Sequence, residues 1–190
     1  MGRPRRRFSA SHVVAVPVPL RSYTPQQLYD VVADVGSYSE FVPWCVESRV
    51  LGPALDPKVL GPASGGGARA AAAPAPAPLV LEAELRVGFH ALSEAYTSVV
   101  TLKPPHGVTS TARGSTLFHH LDCAWAFRPG PLPRTVWLVF SVDFAFRSGL
   151  HARAAGLFFD EVAARMVAAF EARCGAVHGP PSVGRERRPA

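Results

Sequence analysis

Apolar and polar residues alternate through the middle of the chain, and this period of two predicts β-strands. In "LVLEAELRVGF" (79–89) an apolar face opposes a face that carries three charged residues. Similar strands, separated by Pro- or Gly-rich turns, are predicted at 93–102, 107–114, 116–127 and 135–146. Strands of this kind form an antiparallel sheet with one face toward the core.

Before this sheet, "HVVAVPV" (12–18) and "VESRVL" (46–51) are also predicted to be strands. Pro17 and Pro19 favour an edge position for the first of them, because proline cannot donate to a neighbouring strand.

Helical spacing appears in two places. "TPQQLYDVVADVG" (24–36) begins with a capping-box pattern formed by Thr24 and Gln27, and Gly36 is expected to end it. "SYSEFV" (37–42) predicts a second, short helical turn. Residues 148–174 are predicted to form a long amphipathic helix with Phe159, Val162, Met166 and Phe170 on one stripe, and Gly175 is expected to end it.

This order of elements predicts an α+β fold, in which a curved antiparallel sheet is closed by the long C-terminal helix. An elongated cavity between sheet and helix is the expected result. The stretch "EFVPWC" (40–45) places a Phe and a Trp around a proline between a helix and a strand. It is either a corner of the core or the lip of that cavity.

Three segments are predicted to lie outside the folded body. Residues 52–78 contain 20 Gly, Ala or Pro and are interpreted as a flexible insert. Residues 1–7 form a basic tail, and residues 176–190 a disordered one. The domain proper is therefore 8–175.

The net charge of +6 comes from the tails, because residues 8–184 hold 13 basic and 13 acidic residues. A neutral body argues against specific nucleic-acid binding. The Arg-rich start, with no acidic residue before Asp30, is similar to a transit peptide. Three widely spaced cysteines argue against a disulfide scaffold and favour a reducing compartment.

Candidate chemistry is sparse. In "HHLD" (119–122) adjacent histidines on a strand point to opposite faces, and no third ligand has suitable spacing, so no metal site is predicted. Asp143, among apolar residues, is the first candidate for general acid or base work.

Six blocks of the chain resemble, in order, the coenzyme Q-binding protein family, a branch of the START-like or polyketide cyclase/dehydrase superfamily. They are "YDVVADVGSYSEFVPWC", "EAELRVGF", "YTSVVTL", "LFHHLDCAWAF", "VDFAFRSGLH" and "FFDEVAARMVAAFE". The resemblance covers roughly residues 8–175 without the insert, which is a departure from the family pattern, as is the abbreviated N-terminus.

The resemblance implies a helix-grip fold whose groove binds ubiquinone or a polyprenyl precursor. It implies a non-catalytic lipid chaperone that serves respiration and quinone biosynthesis. The expected location is the matrix side of the mitochondrial inner membrane, with peripheral membrane contact and contact with quinone-biosynthesis proteins. Ubiquinone is the expected ligand, and no cofactor is expected.

The expected groove residues are mostly apolar or aromatic. They are Phe41, Val42, Pro43, Trp44, Leu85, Val87, Phe89, Tyr96, Leu121, Trp125, Phe127, Phe140, Phe144, Phe159, Val162 and Met166. Two alternatives of other classes remain open: an aromatase/cyclase-type enzyme, which requires paired acid and base groups in the groove, and a ribosome-associated factor, which requires a basic body.

Overall fold

The computed structural model describes residues 10–12, 18–21, 23–54, 78–89, 92–130, 135–148 and 159–180. Residues 1–7 and 181–190 of the predicted tails and residues 55–77 of the predicted insert lie outside this part, whereas residues 176–178, predicted to be disordered, are helical. The helices are α1 (Pro25–Ala33), α2 (Tyr38–Phe41) and α3 (Phe159–His178), with a 3-10 helix at Val35–Ser37. The strands are β1 (Ala10–His12), β2 (Val18–Arg21), β3 (Cys45–Pro53), β4 (Leu79–Phe89), β5 (Leu92–Lys103), β6 (Gly107–Arg113), β7 (Phe118–Pro129) and β8 (Thr135–Phe146).

The described strands form one antiparallel sheet in the order β3-β4-β5-β6-β7-β8, and β1 and β2 both pair with β8. From β4 to β8 successive strands are neighbours because short connections join them, as expected for antiparallel pairing. β3 and β4 also pair, although the long segment 54–78 lies between them in the chain. The predicted edge position of the proline-containing strand is confirmed, since β1 and β2 pair with β8 alone among the described strands and lie at one end of the sheet. Residues 13–17 of that predicted strand lie outside the described part.

Helix α1 begins as its sequence predicts. The Gln27 backbone N–H donates to Thr24 Oγ1 at 3.2 Å, and the Thr24 backbone N–H donates to Gln27 Oε1 at 2.9 Å. The predicted end at Gly36 is wrong, because the chain leaves the α conformation at Asp34 and continues as the 3-10 helix. The apolar residues Leu28, Val31 and Val32 of this helix, and Val35 just after it, are buried.

Helix α3 runs past the glycine that was expected to end it. Gly175 lies inside the helix, where a Cβ would be 3.4 Å from the Tyr23 hydroxyl. The helix ends at His178, and Gly179 follows with a φ of 86°, the left-handed conformation that commonly terminates helices. The Tyr23 hydroxyl donates to the Gly179 carbonyl at 3.3 Å, which ties the start of the domain to the end of α3.

The core lies between the inner face of the sheet and the helices. Its fully buried side chains include Leu28 and Val32 of α1, Phe127 of β7, Val136 of β8 and Phe170 of α3. The α+β class, with an antiparallel sheet closed by a C-terminal helix, is therefore confirmed. None of the described helices has the length and apolar character that crossing a bilayer requires.

Candidate ligand-binding cavity

A cavity of about 330 Å³ lies between the inner face of the sheet and α3. This volume is at the lower end of the range for small-molecule sites. Its walls come from every described strand from β3 to β8, from α2 and the turn after it, and from α3. Almost all of the lining side chains are apolar or aromatic, so the cavity suits a ligand that is largely hydrocarbon.

Strand alternation builds the wall. In β7 the side chains of Leu121, Cys123 and Trp125 line the cavity at every second position, as the period of two predicts. Phe118 also lines it, although it is three positions from Leu121. A register shift between Phe118 and His120 accounts for this, because the extra residue turns Phe118 back to the inner face.

The turn after α2 supplies another part of the wall through Val42, Pro43 and Trp44. Trp44 has a φ of 63°, which is rare for a bulky residue. Its carbonyl accepts a hydrogen bond from the Gly88 N–H at 2.8 Å, and the Arg165 guanidinium of α3 lies 6.0 Å from its ring centre. The turn is thus fastened both to β4 and to the helix.

Helix α3 is held against α2 by an aromatic and ionic cluster. The Phe170 ring makes edge contacts with Tyr38 and Phe41, with centroids 5.3 and 5.1 Å away. Arg173 lies over the Phe41 ring at 5.2 Å and forms an ion pair with Glu40 at 2.8 Å. These contacts fix the helix that closes the cavity.

Glu94 is the one carboxylate among the described lining residues. It accepts hydrogen bonds from the backbone N–H of Thr116 and Leu117 and from the hydroxyls of Ser115 and Thr116. Burial raises the pKa of Glu94, but these bonds outweigh burial and hold it below the ordinary glutamate value. The carboxylate is therefore ionised and engaged with the β6–β7 loop.

Two thiols, Cys45 and Cys123, also line the cavity. Burial raises the pKa of Cys123 to about 12, although a hydrogen bond from Ser110 opposes this, and burial also raises the pKa of Cys45. Both thiols therefore stay protonated near neutral pH and are poor nucleophiles.

Most of the residues predicted for the groove are brought together here. The cavity is lined by Val42, Pro43, Trp44, Leu85, Val87, Tyr96, Leu121, Trp125, Phe140, Phe144 and Met166. Phe41 lies behind the wall against Phe170, and Phe127 lies in the core cluster that contains Leu28 of α1. The side chains of Phe89, Phe159 and Val162 lie outside the described part of the structure.

Several wall residues were not predicted. The pattern of β5 and β6 places Ser98, Val100, Val108 and Ser110 on inner faces, but their small or polar side chains gave no reason to select them. Tyr38, which was assigned only to a helical turn, reaches the cavity because α2 packs over the sheet.

Asp143, the first candidate for acid–base chemistry, does not line the cavity. Its carboxylate lies 3.1 Å from His120 Nε2, and both side chains are substantially exposed, at 50% and 37%. Within the described ranges, no three His, Cys, Asp or Glu side chains gather in a way that would hold a metal ion.

The family model described as polyketide cyclase / dehydrase and lipid transport matches residues 22–171, and the chain belongs to this family. The predicted resemblance to coenzyme Q-binding proteins is confirmed. The chain is 37% identical over 181 residues to a Xenopus laevis protein named coenzyme Q-binding protein COQ10 homolog B, mitochondrial. The match covers 94% of this chain and 62% of the relative, so the chain spans less than two thirds of that relative's length.

Solved structures have the same fold. An 18 kDa protein of Caulobacter crescentus, solved in solution, is 26% identical with a TM-score of 0.59, covering 92% of this chain and 99% of that one. A START superfamily protein of Mycobacterium smegmatis has a TM-score of 0.57 at 16% identity, covering 89% and 97%. The START-like fold is thereby confirmed.

Proposed function

We propose that this chain binds coenzyme Q, or a polyprenyl precursor of it, in the cavity and acts as a lipid chaperone. The observation that carries this proposal is the apolar cavity between the sheet and α3. The Xenopus laevis relative, named as a coenzyme Q-binding protein, supports the choice of ligand. Each buried CH₂ contributes roughly 0.8 kcal/mol, so a polyprenyl chain binds such a wall without any charged partner.

The proposed role is binding rather than catalysis. A cyclase needs an acid and a base facing the substrate. Glu94, the carboxylate of the described wall, is engaged with the β6–β7 loop, and Asp143 with His120 is turned away from the cavity. The relative's name describes binding and no reaction.

We also place the protein, as part of this proposal, at the matrix side of the mitochondrial inner membrane as a peripheral protein. The relative is named mitochondrial. Trp44 lies beside Arg165 at the cavity wall, and a Trp next to a cation suits the boundary between apolar lipid and anionic head groups. In that position the protein would serve respiratory electron transport and quinone biosynthesis, in contact with the biosynthetic proteins.

The deciding experiment is lipid extraction of the purified protein from quinone-producing cells, followed by mass spectrometry. We expect a near-stoichiometric polyprenyl quinone. A Val142→Trp variant, which fills the cavity, should lose most of it, whereas Val139→Trp on the exposed outer face of β8 should keep it.

Thermal unfolding of both variants would establish that they are folded. Recovery of no quinone from wild-type protein, or equal recovery from the two variants, would contradict the proposal.

A further inference from the structure

Tyr96 differs from Tyr38, Ser110 and Glu94, three other polar residues of the cavity wall, in how its polar group is used. The Tyr38 hydroxyl donates to the Val32 carbonyl at 2.5 Å. Ser110 hydrogen-bonds to the Cys123 sulfur, and Glu94 receives the bonds of the β6–β7 loop. Each of these groups is already engaged within the protein.

The Tyr96 hydroxyl has no such engagement. Its ring contacts Phe118 edge-on, with centroids 6.4 Å apart, and the residue lies opposite Leu85 in the β4–β5 pair. No group in the described part of the chain forms a hydrogen bond to its hydroxyl. No buried side-chain oxygen or nitrogen of the described residues lacks a hydrogen-bond partner, so the Tyr96 hydroxyl is open to the cavity rather than sealed in its wall. It is therefore free to donate to a ligand bound there.

We propose that Tyr96 orients the ligand, its hydroxyl donating a hydrogen bond to a carbonyl oxygen of a neutral ring at the ligand's head. This inference rests on the proposed function and specifies how the bound quinone is held. It makes Tyr96 the residue that distinguishes a quinone from a hydrocarbon of similar size.

The charges of the wall favour a neutral head. No Lys, Arg or His is among the described lining residues, and the Glu94 carboxylate repels an anion. Burial raises the pKa of Tyr96, so its hydroxyl keeps its proton and remains a donor across the physiological range. A carbonyl oxygen accepts from such a donor, whereas a phosphate or carboxylate would lack a compensating cation.

The test compares two probes that share one short tail. One is a dimethoxy-methyl-benzoquinone with a geranyl chain, and the other is geranylbenzene, which has no oxygen. Displacement of an apolar fluorescent dye from the full chain gives both dissociation constants. We expect Tyr96→Phe to weaken quinone binding by about 5–10-fold, as for loss of one neutral hydrogen bond, and to leave geranylbenzene binding unchanged.

Tyr38→Phe is the matched control, because it removes a hydroxyl of the same wall that already bonds to Val32. It should lower thermal stability and keep the wild-type ratio of the two affinities. Infrared spectra of quinone bound to wild-type protein should show one carbonyl stretch shifted to lower frequency. The spectrum needs no variant, so it tests the hydrogen bond even if Tyr96→Phe fails to fold.

An unshifted carbonyl, or equal weakening of both probes by Tyr96→Phe, would overturn the role of Tyr96 while the quinone-binding function stands. Failure of wild-type protein to bind either probe would overturn both.

Discussion

Trp44 combines an unfavourable backbone conformation with a place on the cavity wall. A left-handed φ costs a residue with a Cβ about 1–2 kcal/mol, and glycine avoids that cost. The conformation persists because the Gly88 N–H and the Arg165 guanidinium hold the residue from two sides. Strain retained at one wall position is consistent with a functional demand on the direction of this ring.

An alanine variant is ordinarily more stable than a glycine variant at the same position, and the strain at Trp44 predicts the reverse. Trp44→Ala and Trp44→Gly both lose the ring, but only glycine relieves the backbone, so the glycine variant should be more stable by about 1 kcal/mol. Urea unfolding of the two variants measures the difference.

Val46, which is 56% exposed in β3, is the control, and there Ala should be more stable than Gly. If the alanine variant is the more stable one at position 44 as well as at position 46, the Trp44 backbone carries no strain.

Among the elements, the β6–β7 loop depends on a carboxylate from another strand. Glu94 of β5 accepts hydrogen bonds from Ser115, Thr116 and Leu117. Leu117 and the next residue, Phe118, both line the cavity. The pKa of Glu94 is lower in the folded protein than its unfolded value of 4.5. Glu94 therefore stabilises the fold fully above pH 4.5, and this stabilisation is lost as the pH falls through the pKa of the folded state.

Acid should therefore loosen this loop through Glu94. We expect the unfolding temperature of wild-type protein to fall between pH 5 and 3, and Glu94→Gln to be a few degrees less stable at pH 7 but to decline less steeply in acid. Calorimetry over this pH range measures both curves.

Glu84→Gln is the control, since its ion pair with Arg49 on the outer face is largely exposed and contributes little. Parallel curves for wild type and Glu94→Gln would contradict the assignment.

The elements themselves were largely predictable from the sequence, because their causes are local. The capping box of α1 and the period of two in β8 each depend on residues that are close in sequence. The choice between Gly175 and Gly179 was not predictable, because the Tyr23 hydroxyl, which packs near Gly175 and donates to the Gly179 carbonyl, is far away in the chain. The register shift at Phe118 likewise depends on pairing with β8.

The sequence predicted which side chains face the inside of the sheet, but not which of those line the cavity. Alternation marks Phe127 as inward, yet where the cavity ends and the solid core begins depends on where α1 lies across the sheet. The Tyr96 and Tyr38 hydroxyls cannot be distinguished in the sequence, since Val32 becomes a partner only after folding.

At the scale of the whole molecule, the turn after α2 is expected to meet the membrane. Trp44→Ala should reduce co-sedimentation with cardiolipin-containing vesicles by about tenfold, from the loss of one large apolar side chain at the interface. Trp137→Ala is the matched control, because that Trp is 39% exposed and lies beside Pro19 at the opposite edge of the sheet.

Co-sedimentation should be measured at both high and low salt. The Arg-rich ends of the chain are expected to attract anionic lipid, and high salt screens that attraction and leaves the apolar contribution of Trp44. Equal loss of binding by the two variants, or no loss by either, would remove the turn from the membrane contact.

The alternation of the strands has a consequence for how this protein changes over evolutionary time. Along β8, Phe140, Val142 and Phe144 face the cavity, whereas Trp137 and Val139 face solvent. Under the proposed function, substitutions at the inward positions would change which ligand the cavity accepts, whereas substitutions at the positions between them would change only the outer surface. The two properties could then vary independently within a single strand.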